Sequence, residues 1–168
     1  MLVNVAGIAD EATALREGSE LFQRVLGVNL IGVFELSVRF AAHLRETGTG
    51  GAIVNVASIF GLRASTLTPG AGYVASKAGL IGLTQELAVQ WSRYGIRVNA
   101  LAPGFFPSEM TVDVLEEGAP TRLLVDVRTP MGRPGRLDEL EGPLLLASDA
   151  GSYMTGQVLA VEGGWTST

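Results

Sequence analysis

The sequence predicts an α/β fold, a doubly wound parallel sheet with helices on both faces. Three observations carry that reading. Short runs at residues 2–6, 52–56, 96–101 and 157–161 place apolar residues on both faces, as a parallel strand covered on both sides requires. Longer stretches between them repeat apolar residues every three or four positions, the period of a helix. The runs are also far enough apart for right-handed crossovers, which need about 30 residues each.

Each element follows from local chemistry. LVNVA at residues 2–6 reads as a buried strand closed by Gly7. Ser19 is a plausible N-cap for one long helix, SELFQRVLGVNLIGVFELSVRFAAHLRE, ended by TGTGG. A second strand at 52–56 leads through a loop containing Pro69 and Gly70 to a helix over 72–94. Residues 96–101 form a third strand, stopped by Pro103-Gly104. A mixed segment, 105–136, exceeds the usual connection of about 2–6 residues and is expected to contain a short helix or two. A last helix is predicted over 138–148 and a last strand over 157–161, before Gly163-Gly164. No linker or repeat divides the chain, so residues 1–168 are expected to form one domain, with 105–136 as a substrate-loop region.

Composition narrows the function classes. With 168 residues, 47% hydrophobic and 17% charged, the chain can bury a real core. A net charge of −5 disfavours nucleic acid and anionic membrane surfaces. There is no cysteine and a single histidine, which removes disulfide frameworks and thiolate or multi-histidine metal sites. No apolar run reaches the ~18 residues of a membrane span, and no signal peptide is evident. A cytoplasmic protein without a membrane partner is expected.

In open parallel sheets, ligands sit beyond the carboxyl ends of the strands. Ser58 emerges there after IVNVA, where its hydroxyl could polarise a carbonyl oxygen; read alone, a turn-forming loop serine explains it as well. Tyr73 and Lys77, in YVASK, share one helix face a turn apart. A phenol ionises near pH ~10, and an ammonium ~4 Å away could favour the phenolate by up to ~3 pH units. Taken alone, the pair reads as a solvated surface pair, since Tyr-x-x-x-Lys is common by chance. Asn29 sits inside the long helix, where asparagine is unfavourable, and implies a buried polar contact or a kink holding water.

LVNVAG, Asn29, IVNVAS, YVASK, RVNALAPG and TGQVLAVEGG together resemble, in order, the motifs of the short-chain dehydrogenase/reductase family, across essentially the whole chain. The resemblance implies a partial Rossmann-like fold, equivalent to strands four to seven with their flanking helices. It implies hydride transfer between NAD or NADP and a hydroxyl or keto carbon of a 3-oxoacyl or sugar- or polyol-like substrate. Tyr73 would be the general acid/base, Lys77 would bind the nicotinamide ribose and lower the tyrosine pKa, Ser58 would orient the reacting oxygen, and Asn29 would hold a proton-relay water. Cofactor contacts would fall to Asn4, Ala6, Gly7, Tyr73, Lys77, Pro103, Gly104, Phe106 and Ser108. Extra chain at Leu67-Thr68-Pro69 would shape the substrate entrance.

The sequence also departs from the family pattern. No Gly-x-x-x-Gly-x-Gly turn is present; GTGG at 48–51 follows a helix and precedes a strand, the wrong order for a phosphate cradle. The opening strand matches the family's fourth, so the first three are expected to lie outside this chain and the chain alone to be weak or inactive. Residues 2–6 would then form an exposed sheet edge. The competing reading is a non-catalytic fragment or pseudoenzyme that only associates with related subunits. Val5 stands where the family usually has asparagine.

Other candidates read as structural. His43 suits a helix end, Glu116 and Glu117 a charged surface, and Asp138, Glu139 and Glu141 a helix first turn, with no metal implied. Phe105, Phe106, Met110 and Met131 suit a lid or core. The helix with Leu80, Leu83, Leu87 and Trp91 also carries Ile81, Ala88 and Val89, more apolar surface than one sheet contact uses. The resemblance implies a homodimer or homotetramer where the full fold is present.

Overall fold

A computed structural model describes residues 1–10, 12–65 and 67–168. It contains four parallel strands in the order β1-β2-β3-β4: β1 Leu2–Asn4, β2 Gly51–Val56, β3 Ile96–Pro103 and β4 Val158–Val161. The register sets Asn4 beside Asn55 and Leu101 beside both Val56 and Leu159. β3 lies inside the sheet and is almost wholly buried, as its mostly apolar sequence requires, and its polar Arg97 and Asn99 donate to the Leu146 and Met154 carbonyls. β1 is shorter than its sequence suggests and pairs only with β2 among the described strands, leaving Val3 and Val5 exposed.

The two faces of the sheet are covered differently. On one, Ile53, Ile96 and Val98 pack against Ala41 and Leu44 of α2 (Val33–Thr47) and Leu87 and Ala88 of α3 (Ala71–Trp91). On the other, Val54 and Leu101 pack against Leu146. The segment bearing Leu146 is not the predicted α-helix over 138–148. It is a series of 3-10 turns at Leu137–Leu140, Gly142–Leu146 and Asp149–Gly151. Pro143 has no N–H to give Glu139, and its ring crowds the preceding turn, so an α-helix cannot run through Gly142-Pro143. Arg97 of β3 pins this irregular segment by donating to the carbonyls of Leu146 (2.8 Å) and Ser148 (3.0 Å).

The long helical rod begins at Ser19, with Gly18 rather than Ser19 in the cap position. It is not one regular helix: α1 (Ser19–Leu26) passes into a π-turn at Gly27–Gly32 before α2. The rod, Ser19–Thr47, contains a stretch of mean hydropathy 1.6 that by length and composition alone could cross a membrane. Here it packs on α3 and the sheet, and its polar Asn29 and Ser37 are fully buried with partners inside the fold. Gly48 closes α2 with φ of +67°, and the GTGG run is a helix-to-strand loop. At Gly50 a Cβ would lie 2.8 Å from the Gly95 carbonyl oxygen, so the loop requires glycine there. The mixed segment contains one α-helix, α4 (Pro120–Arg128).

Buried polar groups tie the layers together. The Asn55 side chain donates to Thr84 Oγ1 of α3 (2.9 Å) and accepts from Asn4 Nδ2 (2.8 Å). Asn4 also donates to Ser37 of α2 (3.2 Å), and Thr84 donates to the Leu80 carbonyl (2.8 Å). Thr84→Val therefore strands the Asn55 amide donor, and it is expected to lower stability by about 1–3 kcal/mol in urea unfolding. Thr84→Ser should keep most of that stability. Equal losses for valine and serine would show that the methyl group, not the hydrogen bond, carries the contribution.

Candidate active site

Two residues beyond β2, Ser58 sits at the sheet's carboxyl edge, buried, in extended conformation. Its Oγ accepts the Phe60 N–H at 3.1 Å and so caps the short turn Ile59–Gly61. The same side chain lies close enough to the Tyr73 phenol to favour its ionised form. Turn-forming and site-facing readings of Ser58 thus both hold. Above the pair lies a cavity of about 110 Å3. Asp10, Ser58, Ser65, Thr68, Tyr73 and Thr111 supply its polar lining. Phe60, Phe105, Met110 and Val114 supply much of its apolar surface. The predicted entrance residues Thr68 and Pro69 do border it, as does the start of the 105–136 segment.

Tyr73 projects from the first turn of α3, whose N-cap position is Gly70, a residue with no side chain to cap with. Asp10 does the capping from 62 and 63 residues away, accepting the Gly72 N–H at 3.0 Å and the Tyr73 N–H at 2.8 Å. An anion accepting two of the free N–H groups at a helix start is favourable for both partners. Sequence reasoning missed Asp10, because no local motif joins it to a helix so distant along the chain.

Asn29 lies in the π-turn with no exposed surface. Its Oδ1 accepts the Ile8 N–H (2.8 Å), while Nδ2 donates to the Ile8 carbonyl (2.8 Å) and to Ser76 Oγ (3.0 Å). Ser76 in turn donates to the Tyr73 carbonyl at 2.7 Å. The expected buried polar contact is therefore present, and it links the exit of β1 to the backbone of Tyr73. Ser76 is a second residue that sequence reasoning overlooked.

Lys77 is buried one turn below Tyr73. Its Nζ donates to the Val56 carbonyl at 2.8 Å and lies 5.6 Å from the centre of the Tyr73 ring. Burial drives the lysine pKa down to about 8. The tyrosine behaves differently from the expectation of a strongly favoured phenolate. Burial raises its pKa, and the hydrogen bond from Ser58 only partly opposes this. Desolvation outweighs the nearby cation here, since the ammonium is itself engaged by Val56 and not in contact with the phenol oxygen. Beside Asp10, the Glu17 carboxyl is pushed upward by its hydrogen bond to Asp10, then by burial and by the Asp10 charge.

The structure brings Gly7, Asn29, Ser58, Tyr73, Lys77, Pro103 and Gly104 to one sheet edge. A Cβ on Gly7 would lie 3.4 Å from both Asn29 Oδ1 and Lys77 Nζ. Gly104 donates to the Val161 carbonyl (2.9 Å) and lines the cavity. Asn4 is turned inward to Ser37 and Asn55, Ala6 is exposed, and Phe106 packs against Gly135 in a neighbouring cleft. Ser108 is exposed, 3.0 Å from Thr111 Oγ1 in a turn at the cavity's margin. His43 is exposed on α2, and Glu139 pairs with Arg133 at 2.7 Å.

Nearly the whole chain is similar to known proteins. A family model described as Enoyl-(Acyl carrier protein) reductase matches residues 1–166. Galactitol 2-dehydrogenase (L-tagatose-forming) of Cereibacter sphaeroides is 41% identical over 167 residues, covering 99% of this chain and 65% of that protein. The 3-oxoacyl-acyl-carrier-protein reductase of Thermotoga maritima is 41% identical over 166 residues, covering 98% and 65%. A crystal structure of a gluconate 5-dehydrogenase from Burkholderia cenocepacia J2315, in complex with NADP and tartrate, superimposes with a TM-score of 0.93 at 36% identity. That match covers 99% of this chain and 64% of the crystallised one. The chain thus spans about 65% of the length of these curated relatives. With its parallel sheet and ordered motifs, the chain belongs to the short-chain dehydrogenase/reductase family.

Proposed function

We propose that this site transfers hydride between the nicotinamide of NAD or NADP and a hydroxyl or keto carbon, with a 3-oxoacyl or sugar- or polyol-like molecule as substrate. One observation carries the reading: a half-buried phenol, Tyr73, lines the same cavity as Ser58 at the carboxyl edge of the sheet, with the Lys77 Nζ 5.6 Å from its ring centre. The relatives' activities, on a polyol and on a 3-oxoacyl carrier, support the reaction class and leave both substrate types open. A nicotinamide bound here would supply or accept the hydride.

The chain's own residues handle position and protons. In carbonyl reduction, the Tyr73 phenol gives its proton to the substrate oxygen while Ser58 donates a hydrogen bond to the same atom. The raised pKa keeps the phenol protonated but makes it a weaker acid, so the transfer relies on the charge that develops on the substrate oxygen. In alcohol oxidation the proton moves the other way. Val56 takes one of the three Lys77 donors, and the others suit the hydroxyls of a nicotinamide ribose. Gly7 keeps the space beside that ammonium free of a side chain. Asn29 commits both amide hydrogens to Ile8 and Ser76, so a relay water would use the remaining acceptor capacity of its Oδ1. Pro103, Gly104 and Ser108 would face the nicotinamide end, and 105–136 would act as the substrate loop. The pyrophosphate turn of the family is not in this sequence, so the residues present fit the nicotinamide ribose end of the cofactor. The exposed apolar residues Val28, Ile31, Phe34 and Val89 support self-association through the helical face.

Tyr73→Phe in the full protein is expected to lower kcat for NAD(P)-linked alcohol oxidation about 100-fold or more, with nucleotide affinity little changed. Steady-state kinetics and nucleotide titration read the two effects, and wild-type turnover in the phenylalanine variant would refute the assignment.

Lys77 makes a separate prediction. Its folded pKa, about 8, lies below its ordinary value of 10.5, so between these limits the unfolded chain binds more protons. Its contribution to stability is therefore complete above the unfolded pKa and is lost as pH falls through about 8. Relative to Lys77→Met, the wild type should gain about 2 kcal/mol from pH 8 to 10 in chemical unfolding. Parallel stability curves would contradict the burial of a titrating ammonium.

A further inference from the structure

The cavity over Ser58 and Tyr73 has an uneven distribution of charge. Among its described lining residues there is no lysine or arginine, whereas Asp10 contributes a carboxylate that is only 3% exposed. Glu17 stands behind Asp10, its Oε1 buried and without a hydrogen-bond donor among the described residues. The arginine nearest along the chain, Arg63, is turned away and donates to the Thr166 carbonyl at 2.6 Å. The rest of the polar lining, Ser58, Ser65, Thr68, Tyr73 and Thr111, consists of neutral hydroxyls.

This lining suits one kind of ligand. A carboxylate has about four acceptor positions; on Asp10 two are used by the Gly72 and Tyr73 N–H groups and a further one by the hydrogen bond to Glu17. What is left can accept from a substrate hydroxyl, and so can the oxygens of Ser65 and Thr111, whose own hydrogens go to the Thr68 and Phe106 carbonyls (2.6 Å each). A substrate carboxylate would instead lose its water beside a fixed anion with no cation to replace it, which is costly. A bare acyl chain would match only the apolar wall of Phe60, Phe105, Met110 and Val114 and would set the Asp10 carboxylate against hydrocarbon, which is costly.

We propose that the site selects an uncharged polyhydroxylated alcohol or its ketone, and that Asp10 sets this choice by excluding carboxylates. The proposal rests on the oxidoreductase reading above and narrows its substrate class. Asp10 also holds the start of α3, so it is a specificity and positioning residue and not a proton donor in the reaction.

The test compares probes of one carbon skeleton in the full protein with saturating NAD or NADP. Galactitol and D-glucitol are set against galactonate and D-gluconate, with an acetoacetyl thioester assayed in the reducing direction. The alditols should show kcat/KM at least about 10-fold above their aldonates and should raise Tm where the aldonates do not. Thr68→Arg, at the loop side of the cavity, should narrow or reverse the alditol preference. Asp10→Asn should narrow it if that variant folds. A ratio unchanged in a folded Thr68→Arg protein would overturn the electrostatic account. Equal or better Tyr73-dependent turnover of an aldonate or of the thioester would overturn the substrate class and leave the oxidoreductase reading standing. No binding and no turnover of any probe would overturn both.

Discussion

A buried amide organises this site. Asn29 has no exposed surface, and an unsatisfied amide there would cost about 1–3 kcal/mol for each stranded group. The fold satisfies it by bringing two distant segments to it: Ile8, just past β1, and Ser76, in the first turns of α3. Through Ser76 the amide reaches the Tyr73 carbonyl, and two residues beyond Ile8 the chain delivers Asp10 to the Tyr73 N–H. Both ends of the Tyr73 backbone are therefore held by groups that depend on the same crossing. The π-turn at Gly27–Gly32 is where the helical rod departs from α-helical winding to present that side chain.

Electrostatics follows from burial more than from pairing. Tyr73 and Lys77 are neighbours, yet each moves toward its neutral form because both have lost water. In the same neighbourhood Asp10 accepts two backbone N–H groups at a helix start, an arrangement that suits a carboxylate. A neutral acid, a weakened cation and a backbone-held anion thus occupy one sheet edge. The hydroxyls of Ser58, Ser65, Thr68 and Thr111 line the same cavity.

Much of this was legible in the sequence, and the limits are physical. Strand runs such as IVNVA and IRVNAL announce themselves because a strand covered on two faces must be apolar on two faces. Asn29 stood out because polar residues inside a helix need a reason, although its partners could not be read. The segment 138–148 was misread because its carboxylates and leucines have helical spacing, whereas Pro143 removes the required N–H. Asp10 gave no signal, since a cap supplied from 62 residues away has no local pattern. The Tyr73–Lys77 spacing was right, but its electrostatic result depends on burial, which spacing does not show.

The most direct test of the central claim is a crystal structure of the full protein with NAD(H) or NADP(H) and an alditol or its ketone. The account predicts the reacting oxygen within about 3 Å of both Tyr73 Oη and Ser58 Oγ, with Lys77 Nζ on the nicotinamide ribose. A substrate oxygen bound away from Tyr73 and Ser58, with the reacting carbon still facing the nicotinamide, would contradict it.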